Sequence, residues 1–296
     1  MKIRLISIAF IFLFFACKKE DGSKKDGQLN SLSFSVLTYN IAGLPQGISS
    51  SNPLKNTPYI GKLINDYDIV HVQEDFNYHD LLIKQNEHSF ITKPKAESVP
   101  FSDGLNTLSN YEILDLKRIK WNDCTAADCL TPKGFSFTKI NFNGHFIVDF
   151  YNVHANAGSE GNEMAARRKN LTQLMEFVDA NSGDNPVIIM GDFNCRYSRT
   201  GDIIRTVLDR NFKDAWIEHE RNGVLPPLDD IGFVCEDGDG NGPNCEVVDK
   251  IFYRGTAEHE LLLTDFELPT EKFTLEGKWL SDHRPMFAQF VINRKQ

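Results

Sequence analysis

Basic charge is in short supply in this 296-residue chain: 32 Lys and Arg stand against 41 Asp and Glu, for a net charge of −9. The electrostatic footprint that drives tight nucleic-acid binding is therefore missing. A nuclease is not thereby excluded, because a bound divalent cation can supply positive charge locally. The apolar run from Leu5 to Ala16 is too short to span a bilayer as a helix. The clustered Cys/His spacing of a zinc site is absent. After Leu32 no Pro/Ser-rich linker and no internal repeat divides the chain, so residues 31–296 read as one domain.

The N-terminal residues read as processing signal rather than fold. Met1-Lys2-Ile3-Arg4 is a basic n-region, Leu5 to Ala16 a secretory h-region, and "FFAC" ends at Cys17. A small residue directly before that cysteine resembles a bacterial lipoprotein processing site. Residues 1–17 are thus expected to be a signal peptide whose Cys17 carries the lipid. The polar, glycine-containing stretch 18–30 is expected to be a flexible tether. The reading is an exported, surface-exposed lipoprotein, a monomer held to a cell membrane by its N-terminus.

An exported chain can keep disulfides. Beyond Cys17 there remain Cys124, Cys129, Cys195, Cys235 and Cys245, whose spacings suggest the local pairs Cys124–Cys129 and Cys235–Cys245. Five cysteines allow other pairings. Between the last two, "EDGDGNGPNCE" places Asp237, Asp239 and Asn241 at alternate positions before Gly242, like the first half of a calcium loop. Val248 stands where the bidentate glutamate of such a loop belongs. A structural Ca²⁺ at Asp237, Asp239 and Asn241 is one reading, and a solvated acidic loop is the blander one.

What the chain does have is ample apolar residue, 41% with 22 Phe, in runs suited to strands. These are 33–41, 68–74, 105–109, 134–142, 145–154, 186–192, 247–255 and 285–292. Phe146, Val148 and Phe150 alternate with Ile147 and Asp149, the period of a half-buried sheet. Helical spacing predicts helices over 57–67, 162–180 and 200–209. The mixture predicts two packed β-sheets flanked by helices.

Polar residues then recur where these apolar runs stop. Asn40, Glu74, His154 with Asn156, and Asp192 with Asn194 lie at strand ends, Asp249 lies in "VVDKIFY" at the edge of an apolar segment, and Asp282 and His283 just precede the last strand. A rigid sheet can fix such backbones while the loops leave the side chains accessible. Asn40, Glu74 and Asp282 are hard oxygen ligands suited to Mg²⁺, Mn²⁺ or Ca²⁺. Asp192 could take a proton from water while Asn194 orients a phosphoryl group. Asp249 could orient the imidazole of His283, and His154 could act as acid or as a phosphate donor. Singly, each of these residues is more often a turn or cap. The other histidines, His71, His79, His88, His145, His219 and His259, read as structural donors.

In this order, "TYNIAG", "VQED", "YNVHANAG", "GDFN", "VVDKIFY" and "SDHRP" resemble the endonuclease/exonuclease/phosphatase superfamily. It includes deoxyribonuclease I, abasic-site endonucleases, inositol polyphosphate 5-phosphatases and neutral sphingomyelinases. The resemblance runs from about Val36 to Phe290 and implies an α/β fold, a four-layer sandwich of two mixed sheets. It also implies a divalent-metal-dependent phosphodiesterase, with Glu74 on the metal and Asn40 and Asp282 nearby. Asp192 and Asn194 would handle water and phosphate, Asp249 would pair with His283, and His154 would lie on the phosphate. Such folds carry many substrates. A lipid head group is favoured, on the likeness of "DGLNTLSNYEI" to the sphingomyelinase branch and on Arg167-Arg168 of the 162–180 helix, with Asn156 and Arg168 as substrate contacts. The alternatives are an extracellular deoxyribonuclease, an inositol phosphatase and a binding lipoprotein without catalysis.

Overall fold

The computed structural model describes residues 29–95, 101–235 and 244–295. The signal peptide, the tether before residue 29 and the acidic loop with Asp237, Asp239 and Asn241 lie outside the described residues. The first half of the chain forms β1 (Ser31–Asn40), α1 (Pro53–Leu63), β2 (Ile69–Gln73), α2 (His79–Ile83), β3 (Phe90–Ile91), β4 (Asn106–Ser109), β5 (Glu112–Lys120), β6 (Gly134–Phe142) and β7 (Phe146–His154). The second half forms α3 (Gly161–Asn181), β8 (Val187–Asp192), β9 (Lys213–Asp214), α4 (Ala215–Arg221), β10 (Asp249–Arg254), β11 (His259–Glu267), β12 (Thr274–Leu275), β13 (Lys278–Trp279) and β14 (Met286–Arg294).

Two mixed six-stranded sheets result, ordered β11-β14-β1-β2-β4-β3 and β5-β6-β7-β8-β10-β9. They pack face to face because alternate residues on their strands are apolar. On β1, Phe34 and Val36 point to the opposing sheet, where Phe34 meets Phe142 at 4.6 Å and Phe150 at 6.4 Å between ring centroids. The intervening Leu37 and Tyr39 face outward and pack with Ile60 and Ile64 of the α1 segment. On the other sheet, Tyr151 packs outward beside Phe177 of α3, at 6.2 Å. Leu171, Leu174, Met175 and Val178 bury the rest of the α3 stripe against that sheet. Helices outside and sheets inside make the four expected layers.

Several elements differ from the sequence expectation. Helix α1 starts at Pro53 rather than at 57, because Asn52 caps it by accepting from Lys55 N and proline suits the first turn. It runs through Pro58 and gives way to a 3₁₀ turn at Ile64–Asp66. The predicted 200–209 helix is a 3₁₀ turn, Ile204–Arg210, whose buried Ile204 and Val207 are spaced for three residues per turn. Strands β5 and β11 escaped prediction because they are sheet edges with half-exposed, charge-rich patterns.

Both suggested disulfides form, Cys124–Cys129 and Cys235–Cys245, and Cys195 is a free, buried thiol. Burial pushes the Cys195 thiol up to about 12, so it is inert as a nucleophile at neutral pH.

Two positions test this architecture. Gly191, paired with Val153 in the parallel β7–β8 ladder, has φ +153°, and a Cβ there would lie 2.1 Å from the Val153 carbonyl oxygen. Gly191→Ala should therefore cost about 3 kcal/mol or more of unfolding free energy, measured in urea. His71 on β2 is fully buried beside Phe150, and burial pushes its imidazole down to about 3 against a smaller upward pull from the Met190 and Tyr151 carbonyls. The unfolded chain takes up a proton near the ordinary value of 6.5 and the folded one does not, so this stability is complete at neutral pH and is lost as pH falls from about 6.5 towards 3. Between pH 7 and pH 5, His71→Gln should lose about 2 kcal/mol less stability than the wild type, read from urea midpoints.

Candidate active site

The inward stripes of the central strands change character along their length. On β7 the stripe reads Phe146, Val148, Phe150, Asn152, His154, and on β1 it reads Phe34, Val36, Thr38, Asn40. On β8 it ends at Asp192, which is paired with His154 in one ladder and with Asp249 of β10 in the other. Period-two geometry therefore delivers Asn40, His154, Asp192 and Asp249 to one end of the inter-sheet space. Glu74 follows β2 with φ +57°, a left-handed conformation costing of order 1–3 kcal/mol for a non-glycine residue. Gly43 accommodates it, since a Cβ there would lie 2.2 Å from the Glu74 carbonyl oxygen.

The side chains meet. Asn40 Nδ2 donates to Glu74 Oε1 at 3.1 Å and to Asp192 Oδ2 at 3.2 Å, and lies 3.4 Å from His283 Nε2. His154 Nε2 is 3.4 Å from Asp192 Oδ2 and 3.9 Å from Glu74 Oε1. His283 Nδ1 is 2.9 Å from Asp249 Oδ2. The turn bearing His283 is tied to β1 by Ser281, whose hydroxyl donates to the Asn40 carbonyl at 2.7 Å and accepts from His283 N at 3.2 Å.

Burial sets the charges. Removal from water raises the Asp192 carboxyl to about 6, against the opposing pull of His283. Burial drives the His154 imidazole well below its ordinary value, and Lys133 and His283 push it further, so His154 is neutral. Burial also opposes the charge on His283, but the Asp249 and Asp192 carboxylates outweigh it and raise its pKa well above the ordinary value. Two imidazoles in one cluster thus hold opposite protonation states.

Other expected residues are placed differently. Asn194, with φ +52°, donates its backbone N–H to Asp192 Oδ1 at 2.9 Å and its Nδ2 to the Ala155 carbonyl at 3.1 Å. Asp282 is exposed at the rim and accepts from Ser50 Oγ at 2.5 Å. Asn156 is buried and engaged by backbone: its Oδ1 accepts from Thr125 N at 2.9 Å and its Nδ2 donates to the Ala157 carbonyl at 2.8 Å. Arg168 turns away to the Gly201 carbonyl, at 2.9 Å.

The neighbouring Arg167 is the buried arginine of that pair. It binds Asp202 Oδ1 through Nε at 3.1 Å and Nη2 at 2.8 Å, and it donates to the Asn156 and Gly158 carbonyls. Its place on the Met164–Leu171–Leu174 stripe was the available signal. Lys133 was also missed. It is buried and sits 2.6 Å from Asp128, and its charge acts on both His154 and Asp192. Asp128 also accepts from Ala157 N at 2.5 Å and lies inside the loop closed by Cys124–Cys129.

The donor set suits a hard cation. Ligand atoms of Asp192, Asp249 and His283 lie within 4.8 Å of one another, and Asp249 Oδ1 is buried without a hydrogen-bond partner among the described residues. His283 has Nδ1 committed to Asp249 and favours its protonated form, which leaves the carboxylates as the better ligands. Glu74, partly exposed, offers oxygen from the other sheet. Asn40 turns its amide nitrogen to the carboxylates while its oxygen accepts from Ala42 N at 3.1 Å, so in this arrangement it is a donor between anions.

The family model described as endonuclease/exonuclease/phosphatase family 2 matches residues 53–235. A sphingomyelinase of Mycobacterium tuberculosis is 39% identical over 267 residues, covering 87% of this chain and 52% of that protein. The chain thus spans about half the length of that relative. Among solved structures, a beta toxin of Staphylococcus aureus with bound magnesium ions superposes with a TM-score of 0.61 at 16% identity, covering 87% of this chain and 99% of the other. TDP2 of D. rerio, complexed with single strand DNA product, gives 0.62 at 16% identity, covering 87% and 98%.

Three substitutions should separate framework from site in this region. Asn156→Ala should lower unfolding free energy by about 1–3 kcal/mol. Arg167→Ala removes the buried guanidinium bonds to Asp202 and to the Asn156 and Gly158 carbonyls but leaves Asp202 held by Arg199 and the Arg196 N–H, so it should cost about 1–3 kcal/mol. Arg168→Ala should stay within about 0.5 kcal/mol of wild type, all three measured by chemical denaturation.

Proposed function

The chain belongs to the endonuclease/exonuclease/phosphatase family, and on that footing we propose that it is an exported, divalent-metal-dependent phosphodiesterase acting on a sphingolipid or phospholipid head group. The observation that carries the reaction is the convergence of Asn40, Glu74, His154, Asp192, Asp249 and His283 at one end of two facing sheets. The lipid preference is supported by the 39% identity to a mycobacterial sphingomyelinase and by the acidic charge, which disfavours a polyanionic substrate. Export is supported by the N-terminal sequence and by two disulfides.

Glu74 would hold Mg²⁺, or Mn²⁺ or Ca²⁺, with Asp282 at the rim and the Asp192 and Asp249 carboxylates facing it. When bound, such a cation supplies polarisation of the phosphoryl oxygen and offsets charge on the leaving group. The protein's own groups do the rest. Asp192, raised to about 6, is suited to take a proton from water as the new O–P bond forms and the ester P–O bond breaks. The His283 imidazolium, oriented by Asp249, would donate to phosphoryl oxygens whose charge grows in the transition state. His154, neutral and buried, would be an uncharged donor beside them. Lys133, steadied by Asp128, would add positive potential from the loop above.

Purified protein should release phosphocholine from sphingomyelin vesicles with Mg²⁺, and EDTA should abolish this. Asp192→Ala and His283→Ala should each lower kcat by about 10²–10⁴-fold with the fold intact by circular dichroism. Parallel assays on glycerophospholipids and plasmid DNA assign the ester. Nicking of DNA without lipid cleavage would overturn the lipid reading, and metal-dependent turnover of none of these would leave a binding lipoprotein.

A further inference from the structure

One rung beneath the clustered side chains, the space between the sheets is crossed by amides. Gln73 Nε2 donates to Thr38 Oγ1 at 3.0 Å within its own sheet and to Asn152 Oδ1 at 2.7 Å in the opposing one. Asn152 Nδ2 returns across the gap to the carbonyls of Val72 at 3.0 Å and Asn106 at 3.1 Å. Thr38, Gln73 and Asn152 are completely buried. Each stands next to the site in sequence: Thr38 two residues before Asn40, Gln73 directly before Glu74, and Asn152 two before His154.

Stability alone does not account for polar groups there. A pair of apolar side chains of similar shape commonly serves a buried position equally well or better, since each amide must first be stripped of water. What amides add is direction and a narrow range of distance. Further down, the sheets meet through aromatic rings such as Phe34, Phe142 and Phe150, whose dispersion contacts are non-directional and define an offset less sharply than hydrogen bonds do. The site is divided between the sheets, with Asn40 and Glu74 on one and His154, Asp192 and Asp249 on the other. A slip of about 1 Å between sheets would separate these halves, and misplacement of that size can cost about 100-fold in rate.

We propose that Gln73 and Asn152 are positioning residues whose cross-sheet hydrogen bonds set the offset between the two halves of the site. They touch neither substrate nor cation and act through Glu74 and His154. The proposal rests on the phosphodiesterase reading for its rate measurements and on cation binding for an independent readout.

The test uses the full chain carrying Gln73→Met with Asn152→Leu, which replaces both amides by apolar groups of similar size. Its melting temperature should fall by only several degrees, because the two amides are removed together and the remaining loss is one donor each to Thr38 Oγ1 and to the Val72 and Asn106 carbonyls. Its kcat should fall about 100-fold with KM changed by less than about three-fold, and its half-saturation for Mn²⁺, counted by electron paramagnetic resonance without substrate, should rise several-fold. The exchanged pair Gln73→Asn with Asn152→Gln restores an amide–amide bond and should recover much of the lost rate. Thr38→Val keeps shape and removes one acceptor, so it serves if the double variant fails to fold. It should lower kcat a few-fold and the melting temperature by a few degrees, since one buried Gln73 N–H loses its acceptor. Wild-type kcat and Mn²⁺ affinity in the double variant, or in Thr38→Val if only that folds, would overturn the proposal. A wild-type chain that turns over no phosphodiester but binds Mn²⁺ overturns the phosphodiesterase reading and leaves the Mn²⁺ comparison to decide this one. A wild type with neither property overturns both.

Discussion

The Asp192 carboxylate is nearly excluded from water, yet it takes hydrogen bonds from groups on different elements. Asn40 donates to one oxygen from the opposing sheet and the Asn194 backbone donates to the other. A buried carboxylate without such donors would cost several kcal/mol and would simply take up a proton. The surrounding structure follows from meeting this demand. Asn40 must stand at the last inward position of β1, the His283 turn must be tied back to β1 by Ser281, and the sheets must hold one relative offset. The same confinement gives the cluster its split electrostatics, with a neutral His154 at 3.4 Å and a charged His283 at 3.7 Å from the same Asp192 oxygen.

How much of this was legible depended on which physical rule wrote each residue. The four layers were legible because β1, β2, β7, β8 and β10 are doubly covered and strongly apolar, and α3 carries a clean stripe. The strand-end residues were legible because polarity begins where these runs stop. The Arg167-Arg168 pair suggests Arg168 as a substrate contact, whereas helical periodicity puts Arg167 on the buried stripe, where it pairs with Asp202. Asn156 sits beside His154 in sequence, but the chain turns after β7 and uses its amide to hold Thr125 and Ala157.

Other features take their meaning from partners far away in sequence. Lys133 belongs to an irregular loop that reaches the cluster only through the fold, and its partner Asp128 is an ordinary loop acid until the Cys124–Cys129 bond confines it. Thr38, Gln73 and Asn152 occupy inward positions that alternation assigns to apolar residues. Their polarity breaks the strand pattern, and such breaks are expected where sequence serves something other than folding. The left-handed backbone of Glu74 is likewise invisible from residue type, because the constraint comes from Gly43 on a separate loop.

The first and last strands of the fold lie side by side: β1 pairs with β14 from Ser31–Asn293 to Thr38–Met286. Asn40 is thus among the earliest cluster residues to leave the ribosome and His283 the latest. Until residues 283–294 emerge, β1 is paired only on its β2 side and the Asp249–His283 bond has no imidazole. Contacts between residues this far apart in sequence form slowly and only after the later residue has been made. Completion of the site is therefore a late event in the life of each molecule. Whatever chemistry the cluster performs is withheld from nascent, truncated and unfolded copies alike.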